Sequence, residues 1–357
     1  NQAGYETDIT QWQCTMIQGL YCGYPGSLEK SGEALKLPPD QSKSTSGKNL
    51  IKYFSIPCKA TKKNGGRLRN LPHHEPEKWQ IFKDYCVQDV VTEMEVLRRF
   101  EMFPVPEKEW ELWQFDVLMN SEGVKIDTQM VESALYIDEK VTLSLKKEAK
   151  DITGLANPNS TAQLKKWFAE NGFEIKDLKK ETVSEITDSA DGDVKRILEI
   201  RQELSKTSTK KYVAMKECAG PDDRARGLLQ FYGANRTGRF SGRLIQVQNL
   251  PRNCLDTLDT ARNLIKSRDI DIIELFYGNV PDTLSQLIRT AFIPEAGKKF
   301  IVADFSAIEA RVIAWLAGEE WRQNVFRTHG KIYEASASQM FGVPLELITK
   351  GNKEYEL

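Results

Sequence analysis

Apolar residues recur at three- and four-residue steps along much of the chain, a pattern that predicts a largely helical protein. After Pro76, the positions Trp79, Phe82, Cys86, Val90, Met94 and Leu97 form one helical stripe. It ends near Phe103-Pro104-Val105-Pro106, a domain boundary, because each proline disfavours helix at the residue before it. Asp127 is placed to cap a helix that runs to about Ile152 and stops at Gly154. Asn157-Pro-Asn-Ser160 leads into a helix over Thr161–Glu170, closed by Asn171-Gly172, and a third long helix is predicted over Val194–Lys216. A short helical pattern at Ser27–Leu35 interrupts a loop-like stretch, 26–72, rich in Gly, Pro, Ser and Lys.

The pattern changes over 228–303. Phe231–Asn235 and Leu244–Leu250 read as short strands or extended loops. Lys299-Phe-Ile-Val-Ala-Asp304 reads as a buried strand, being a short apolar run rich in branched residues, with a helix following from Ser306. Helices followed by a few short strands predict an α+β, multidomain chain.

Composition narrows the class. A chain of 357 residues is long enough for two or three domains, and 40% hydrophobic with 28% charged residues is an ordinary globular mix that excludes disorder over most of the length. The longest apolar stretch, Val312–Ala317, is far short of the ~18–20 residues that span a bilayer, and no signal-peptide pattern opens the chain. The six cysteines are scattered without a C-x-x-C pair, which points to reduced thiols in a soluble, intracellular protein. The absent initial Met and the abrupt end at Lys353–Leu357 suggest a piece of something longer. His73-His74-Glu75 and His329 read as loop residues, and Trp79, Trp110, Trp113, Trp167 and Trp315 as core.

Net charge is -1, but its distribution is uneven. Between Arg201 and Arg252 eleven basic residues face four acidic ones. Such a patch suits a phosphate backbone; a solvated helix face would look similar.

Two segments carry chemistry. In Ala303-Asp-Phe-Ser-Ala-Ile-Glu-Ala-Arg311, Asp304 would sit at a strand tip, where it either caps the turn or offers a carboxylate to Mg2+, with the Phe305 carbonyl beside it. Ser306 and Glu309 have capping-box spacing. In Asn235-Arg-Thr-Gly-Arg-Phe-Ser-Gly-Arg243 and Gln246-Val-Gln-Asn-Leu-Pro251, arginines and amides supply donors suited to minor-groove acceptors shared by A·T and T·A pairs.

Together these segments resemble the family A DNA polymerases, the group of bacterial DNA polymerase I and many phage replicative enzymes. Thr237-Gly-Arg-Phe-Ser241 matches T-G-R-[LF]-S, Gln246–Pro251 matches P-N-L-Q-N-[IL]-P with Gln246 in place of Asn, and Arg289-Thr-Ala-Phe292 looks like R-x-x-F. Asp304–Arg311 is close to motif A, D-Y-S-Q-I-E-L-R, and Gly330–Gly342 follows G-x-D-I-H…A-x-x-x-[FV]-G, with Tyr333 where many members have His. Arg201–Lys210 looks like the thumb element Y-R-E-L-x-K-x-x-S-T-Y, Asn157–Leu164 like N-x-x-S-x-x-Q-L and Gly123–Asp127 like G-V-x-I-D. Tyr85 and Asp89 fit the Y-x-x-x-D of a third proofreading-exonuclease motif. The roughly thirty-five residues between Pro251 and Arg289 exceed the bacterial spacing and look like the phage branch.

The resemblance implies a right-hand polymerase fold preceded by the end of an RNase H-like 3′–5′ exonuclease domain. Its parts would be 1–103 exonuclease-like, 104–228 thumb, 229–320 the first part of the palm with an insertion near 253–288, and 321–357 the start of the fingers. It implies nucleotidyl transfer from dNTP to a primer 3′-OH with two Mg2+ ions, in the cytoplasm of a bacterial host. Primer-template DNA would be the partner, with phage replication proteins beside it and no membrane. Asp304 and the Phe305 carbonyl would hold metal, Glu309 would crowd the sugar 2′ position, and Tyr333 would face the nucleotide. Arg201, Lys206, Ser208 and Lys210 would grip backbone phosphates, and Arg239, Gln248 and Asn249 the minor groove. No counterpart of the fingers helix, of the H-D-E turn or of the first two exonuclease motifs is present, so an inactive fragment is expected. An exonuclease-related protein and a non-catalytic DNA-binding module are the alternatives.

Overall fold

The computed structural model describes residues 7–42, 47–187, 189–206, 208–234 and 236–356. They form two compact units, Asn1–Ala296 and Gly297–Leu357.

In the first unit, three short helices, α1 (Thr15–Tyr21), α2 (Leu28–Ala34) and α3 (Lys48–Ser55), pack on the long α4 (Pro76–Phe100). Pro76 opens α4 at the one helical position where its missing N–H costs nothing. Its buried face is Tyr85, Thr92, Val96 and Phe100. The stripe predicted from the sequence lies elsewhere: Cys86, Val90, Met94 and Leu97 are exposed. Periodicity identified the helix but not the face that the short helices cover.

α5 (Glu107–Glu122) leads through Gly123 into β1 (Val124–Lys125), which pairs antiparallel with β2 (Arg224–Ala225). Gly123 is required here. Its φ is +68°, and a Cβ would meet the Ala225 carbonyl and the Arg226 side chain. α6 (Thr128–Thr153) follows, capped by Asp127 and ended by Gly154 in the left-handed region, as the sequence predicts. Ser160 likewise caps α7 (Thr161–Glu170), and α8 (Lys180–Thr187) comes next. The predicted helix over Val194–Lys216 is two helices, α9 (Gly192–Ser205) and α10 (Lys210–Cys218). The break falls between Ser205 and Lys210, in a stretch rich in Ser and Thr, residue types that compete with the helix for backbone hydrogen bonds.

β3 (Leu229–Ala234) and β4 (Arg239–Gly242) form a bulged hairpin; Asn235, the last residue of the predicted strand, lies outside the described residues. The stretch Leu244–Leu250 is a loop with a 3-10 turn at Val247–Asn249. The segment 253–288, expected as an insertion, folds as α11 (Leu258–Ser267), α12 (Ile270–Tyr277) and α13 (Val280–Leu287).

α6 organises two cores. At a rise of 1.5 Å per residue it is about 39 Å long. Its first half (Met130, Val131, Ala134, Ile137) packs with Tyr212, Met215, Ala261, Ile265, Leu284 and Leu287. Its second half (Leu145, Ala149) packs with Leu164, Trp167, Phe168, Ile197 and Leu198. The segment 253–288 is therefore part of the main core, and not a surface loop.

In the second unit, α14 (Ile308–Leu316), α15 (Glu320–Thr328) and α16 (Ile332–Phe341) pack in sequence. The buried strand predicted at 299–304 is absent. The segment has no regular structure, and Ile301 and Val302 are 87% and 90% exposed. A strand needs a ladder partner, and none pairs with it among the described residues. Trp315 is 69% exposed, against the core role expected; Trp110 and Trp167 are buried, and Trp79 and Trp113 half-buried.

Asp127 is expected to be the most sensitive polar position of this fold. It accepts from the Met130 amide (3.1 Å), Arg262 Nη2 (2.7 Å) and Lys266 Nζ (2.6 Å), while its own amide donates to the Ala291 carbonyl (2.8 Å). Asp127→Ala should cost about 3–5 kcal/mol, since it strands two half-buried cations. Burial works against ionisation of Asp127, but hydrogen bonds from Lys266 and the Met130 amide, with the charges of Lys266 and Arg262, hold its carboxyl below the usual range. Its stabilisation is thus fully present above the unfolded value of about 3.9 and is lost as pH falls through the lower folded value. In urea melts, the gap between wild type and Asp127→Asn should shrink from pH 7 to pH 3. An unchanged gap would contradict this account.

Candidate nucleic-acid interface and metal position

The break between α9 and α10 builds the first candidate surface. Arg201 on α9, Lys206 just after it and Ser208 in the break line one cavity of about 500 Å3 with Ser184, Gln202 and Ser205. Three of the four residues assigned to phosphate gripping thus converge. Arg201 Nε is buried and meets no acceptor among the described residues. Lys206 Nζ is paired with Asp282 Oδ1 at 2.7 Å. Lys210, the fourth, is exposed on the first turn of α10.

α10 is fixed from both sides. Burial raises the affinity of the Asp138 carboxyl for its proton, an effect that the neighbouring Thr209 hydroxyl only partly offsets. Tyr212, fully buried, donates from its hydroxyl to the Leu284 carbonyl at 2.7 Å, and burial pushes its ionisation far up. It is a structural hydroxyl.

The second candidate surface is the β3–β4 hairpin with the loop that follows. Arg239 on β4 and Gln248 and Asn249 in the 3-10 turn are all exposed. Leu244 and Gln246 both take left-handed backbone, which kinks the loop twice within three residues. Gly242 admits the Gln248 side chain; a Cβ there would collide with its amide oxygen. Two side chains hold the loop. Lys211 Nζ donates to the Ile245 carbonyl (2.6 Å), and Arg289 donates through Nε and Nη2 to the carbonyls of Pro251 (2.7 Å) and Leu250 (2.9 Å). Reading by residue type counted Lys211 as one more positive charge and missed this role. Beside the loop lies an apolar cavity of about 510 Å3, lined by Met119, Val124, Leu228, Val247, Leu250 and Phe292 among others.

In the second unit, Asp304 and Phe305 are exposed in the irregular segment before α14. The expected capping box is not what starts that helix. Ala307, in left-handed backbone, is the N-cap and makes no side-chain cap bond. Arg311 donates from Nε to the Ser306 carbonyl (2.8 Å) and stacks over the Phe326 ring (4.3 Å to the centroid), joining α14 to α15. Glu309 is exposed on the first turn of α14, and Tyr333 is exposed on α16. Among the described residues no three His, Cys, Asp or Glu side chains gather as a metal-binding group. Tyr85 and Asp89 lie one turn apart on α4; Tyr85 is buried against Gly47 and stacked with Phe82.

Comparison with known proteins bears on these surfaces. Over 343 residues the chain is 57% identical to a DNA polymerase of Bacillus phage SP02, covering 96% of this chain and 53% of that protein. It is 36% identical over 115 residues to the thermostable DNA polymerase I of Thermus thermophilus, covering 32% of this chain and 12% of that protein. The chain therefore spans about half the length of the phage relative. Among solved structures, the POL domain of Pol1 from M. smegmatis, in complex with DNA primer-template and dNTP, is similar with a TM-score of 0.51 at 16% identity, over 91% of this chain and 52% of that one. That likeness shows a shared fold. The model of DNA polymerase family A matches residues 131–355, from α6 through the motif A segment to the end of the second unit, and the chain belongs to that family.

Proposed function

We propose that this chain supplies the thumb and the first part of the palm of an enzyme that carries out template-directed DNA synthesis. The carrying observation is the convergence of Arg201, Lys206 and Ser208 on one cavity at the α9–α10 break. That arrangement grips phosphates without reading bases. Residues 104–228 serve as thumb, 229–320 as the first part of the palm with 253–288 inserted, 321–357 as the start of the fingers and 1–103 as the end of an exonuclease-like domain. Tyr85 and Asp89 are remnants of its third motif. The enzyme acts in the cytoplasm of a bacterial host, alongside phage replication proteins; the support is the phage relative.

The exposed hairpin and loop present Arg239, Gln248 and Asn249 to the minor groove near the primer end, in a loop that Lys211 and Arg289 keep in one shape. Asp304 and the Phe305 carbonyl fit a share of a Mg2+ shell, since this cation takes one or two carboxylates and leaves the rest to water and substrate phosphates. When bound, a pair of such ions stabilises the attacking and leaving oxygens of in-line phosphoryl displacement. Glu309, on the first turn of the helix that follows, limits room at the sugar 2′ position, and Tyr333 faces the nucleotide. The primer-template and dNTP bound by the mycobacterial domain are the substrates this reading assigns.

In the full-length enzyme, Asp304→Ala should lower single-turnover incorporation by roughly 10³-fold or more, because a metal clamp supplies several kcal/mol to the transition state. Primer-template affinity should stay nearly unchanged. Turnover close to wild type would remove Asp304 from the metal site.

Lys210→Ala should weaken duplex binding equally for unrelated sequences and flatten the log–log salt slope by about 0.9. A titration of a labelled duplex from low to high salt reads both. Unaltered affinity and slope would remove Lys210 from the interface.

A further inference from the structure

The pairing of Lys206 with Asp282 joins the phosphate-gripping surface to the insertion. We propose that Asp282 is a carboxylate dock for Lys206 that competes with DNA phosphate, so that the 253–288 segment attenuates duplex binding and its salt dependence. The proposal rests on the reading of the α9–α10 break as a DNA-binding surface.

The carboxylate is the fixed partner. Asp282 lies in the first turn of α13, where the helix dipole favours a negative charge. Its amide donates to Asn279 Oδ1 (2.8 Å), and its Oδ2 accepts from Gln286 Nε2 (2.7 Å). The helix beneath it is locked, since Leu284 and Leu287 are fully buried and the Leu284 carbonyl holds Tyr212. Burial disfavours its ionised form, but the hydrogen bonds from Lys206 and Gln286 and the Lys206 charge outweigh this, and the carboxyl stays below the usual range.

Lys206 is the movable partner. It follows the last turn of α9 with extended backbone, and its four-carbon stem can swing. To meet a phosphate it must leave Asp282, or draw the phosphate to within reach of a fixed negative charge. Both oppose binding. The ion count differs as well. A lysine already neutralised by a carboxylate carries no phosphate charge without uncovering that carboxylate, which then recruits a cation from solution. Net counterion release on DNA binding is therefore lower by about one ion than it would be for a free lysine.

The test is a salt titration of a short fluorescein-labelled primer-template duplex against the whole chain, by anisotropy, for wild type, Asp282→Asn, Lys206→Ala and the double variant. Asp282→Ser is carried beside Asp282→Asn, and thermal melts verify that each is folded. The dock predicts up to about fivefold tighter binding by Asp282→Asn, the fold-change expected of a partly exposed ion pair, and a slope steeper by about 0.9. Both gains should vanish in the double variant. Wild-type binding with an unchanged or weaker Asp282→Asn affinity and no steepening would overturn the dock and leave the DNA reading intact; weaker binding would mean that Asp282 merely orients Lys206. Absence of salt-dependent binding by wild type would overturn the DNA reading itself, and the dock with it.

Discussion

The half-buried charge cluster at Asp127 is the constraint on which the first unit depends. One carboxylate caps α6, takes both Arg262 and Lys266 from α11, and follows an amide that pairs with Ala291. Three pieces of chain far apart in sequence, the start of α6, α11 and the segment at Ala291, are thereby fixed at one end of the longest helix among the described residues. The geometry also explains how the 253–288 segment joins the core. α11 brings Ala261 and Ile265 against α6, and its two cations find their counter-charge in the Asp127 carboxylate, at a helix N-terminus whose positive dipole end would otherwise oppose them.

From that fixed end, α6 transmits order to both cores. Its first half carries α10 and the 253–288 segment, and its second half carries α7 and α9. The α9–α10 break lies where the two cores meet along α6. A continuous helix there would hold Lys206 and Ser208 on a regular surface. The break turns them with Arg201 into one cavity, while Thr209 and Tyr212 anchor α10 by buried polar contacts to Asp138 and Leu284. The rigid anchors stand beside the movable lysine.

What the sequence made legible was local. Asp127, Gly154, Ser160 and Asn171 mark helix ends within a residue or so, because caps are decided by neighbours three or four positions away. What failed was set by distant contacts. The stripe through Val90 and Met94 has the right period, yet the short helices cover the Tyr85–Phe100 face instead. Thr92, a polar residue, is fully buried there because its hydroxyl donates to the Gln88 carbonyl one turn back. The Asp282 partner of Lys206, 76 positions away, left no local signal at all.

The motif A segment shows the same limit at its sharpest. Lys299–Asp304 has the composition of a strand, but propensity for strand is a preference for a pleated, partnered surface and not a property of one segment. Without a ladder partner among the described residues its backbone stays irregular, and Phe300, Ile301 and Val302 face solvent. Downstream, order returns at Ala307, because a helix satisfies its own backbone and Arg311 needs only Phe326 and the Ser306 carbonyl to join two of them. The two carboxylates of this motif are therefore held to different degrees. Glu309 rides on a self-sufficient helix, whereas the position of Asp304 depends on a sheet partner for the five residues before it. A ladder partner for the 299–304 backbone is thus what would fix the position of the Asp304 carboxylate.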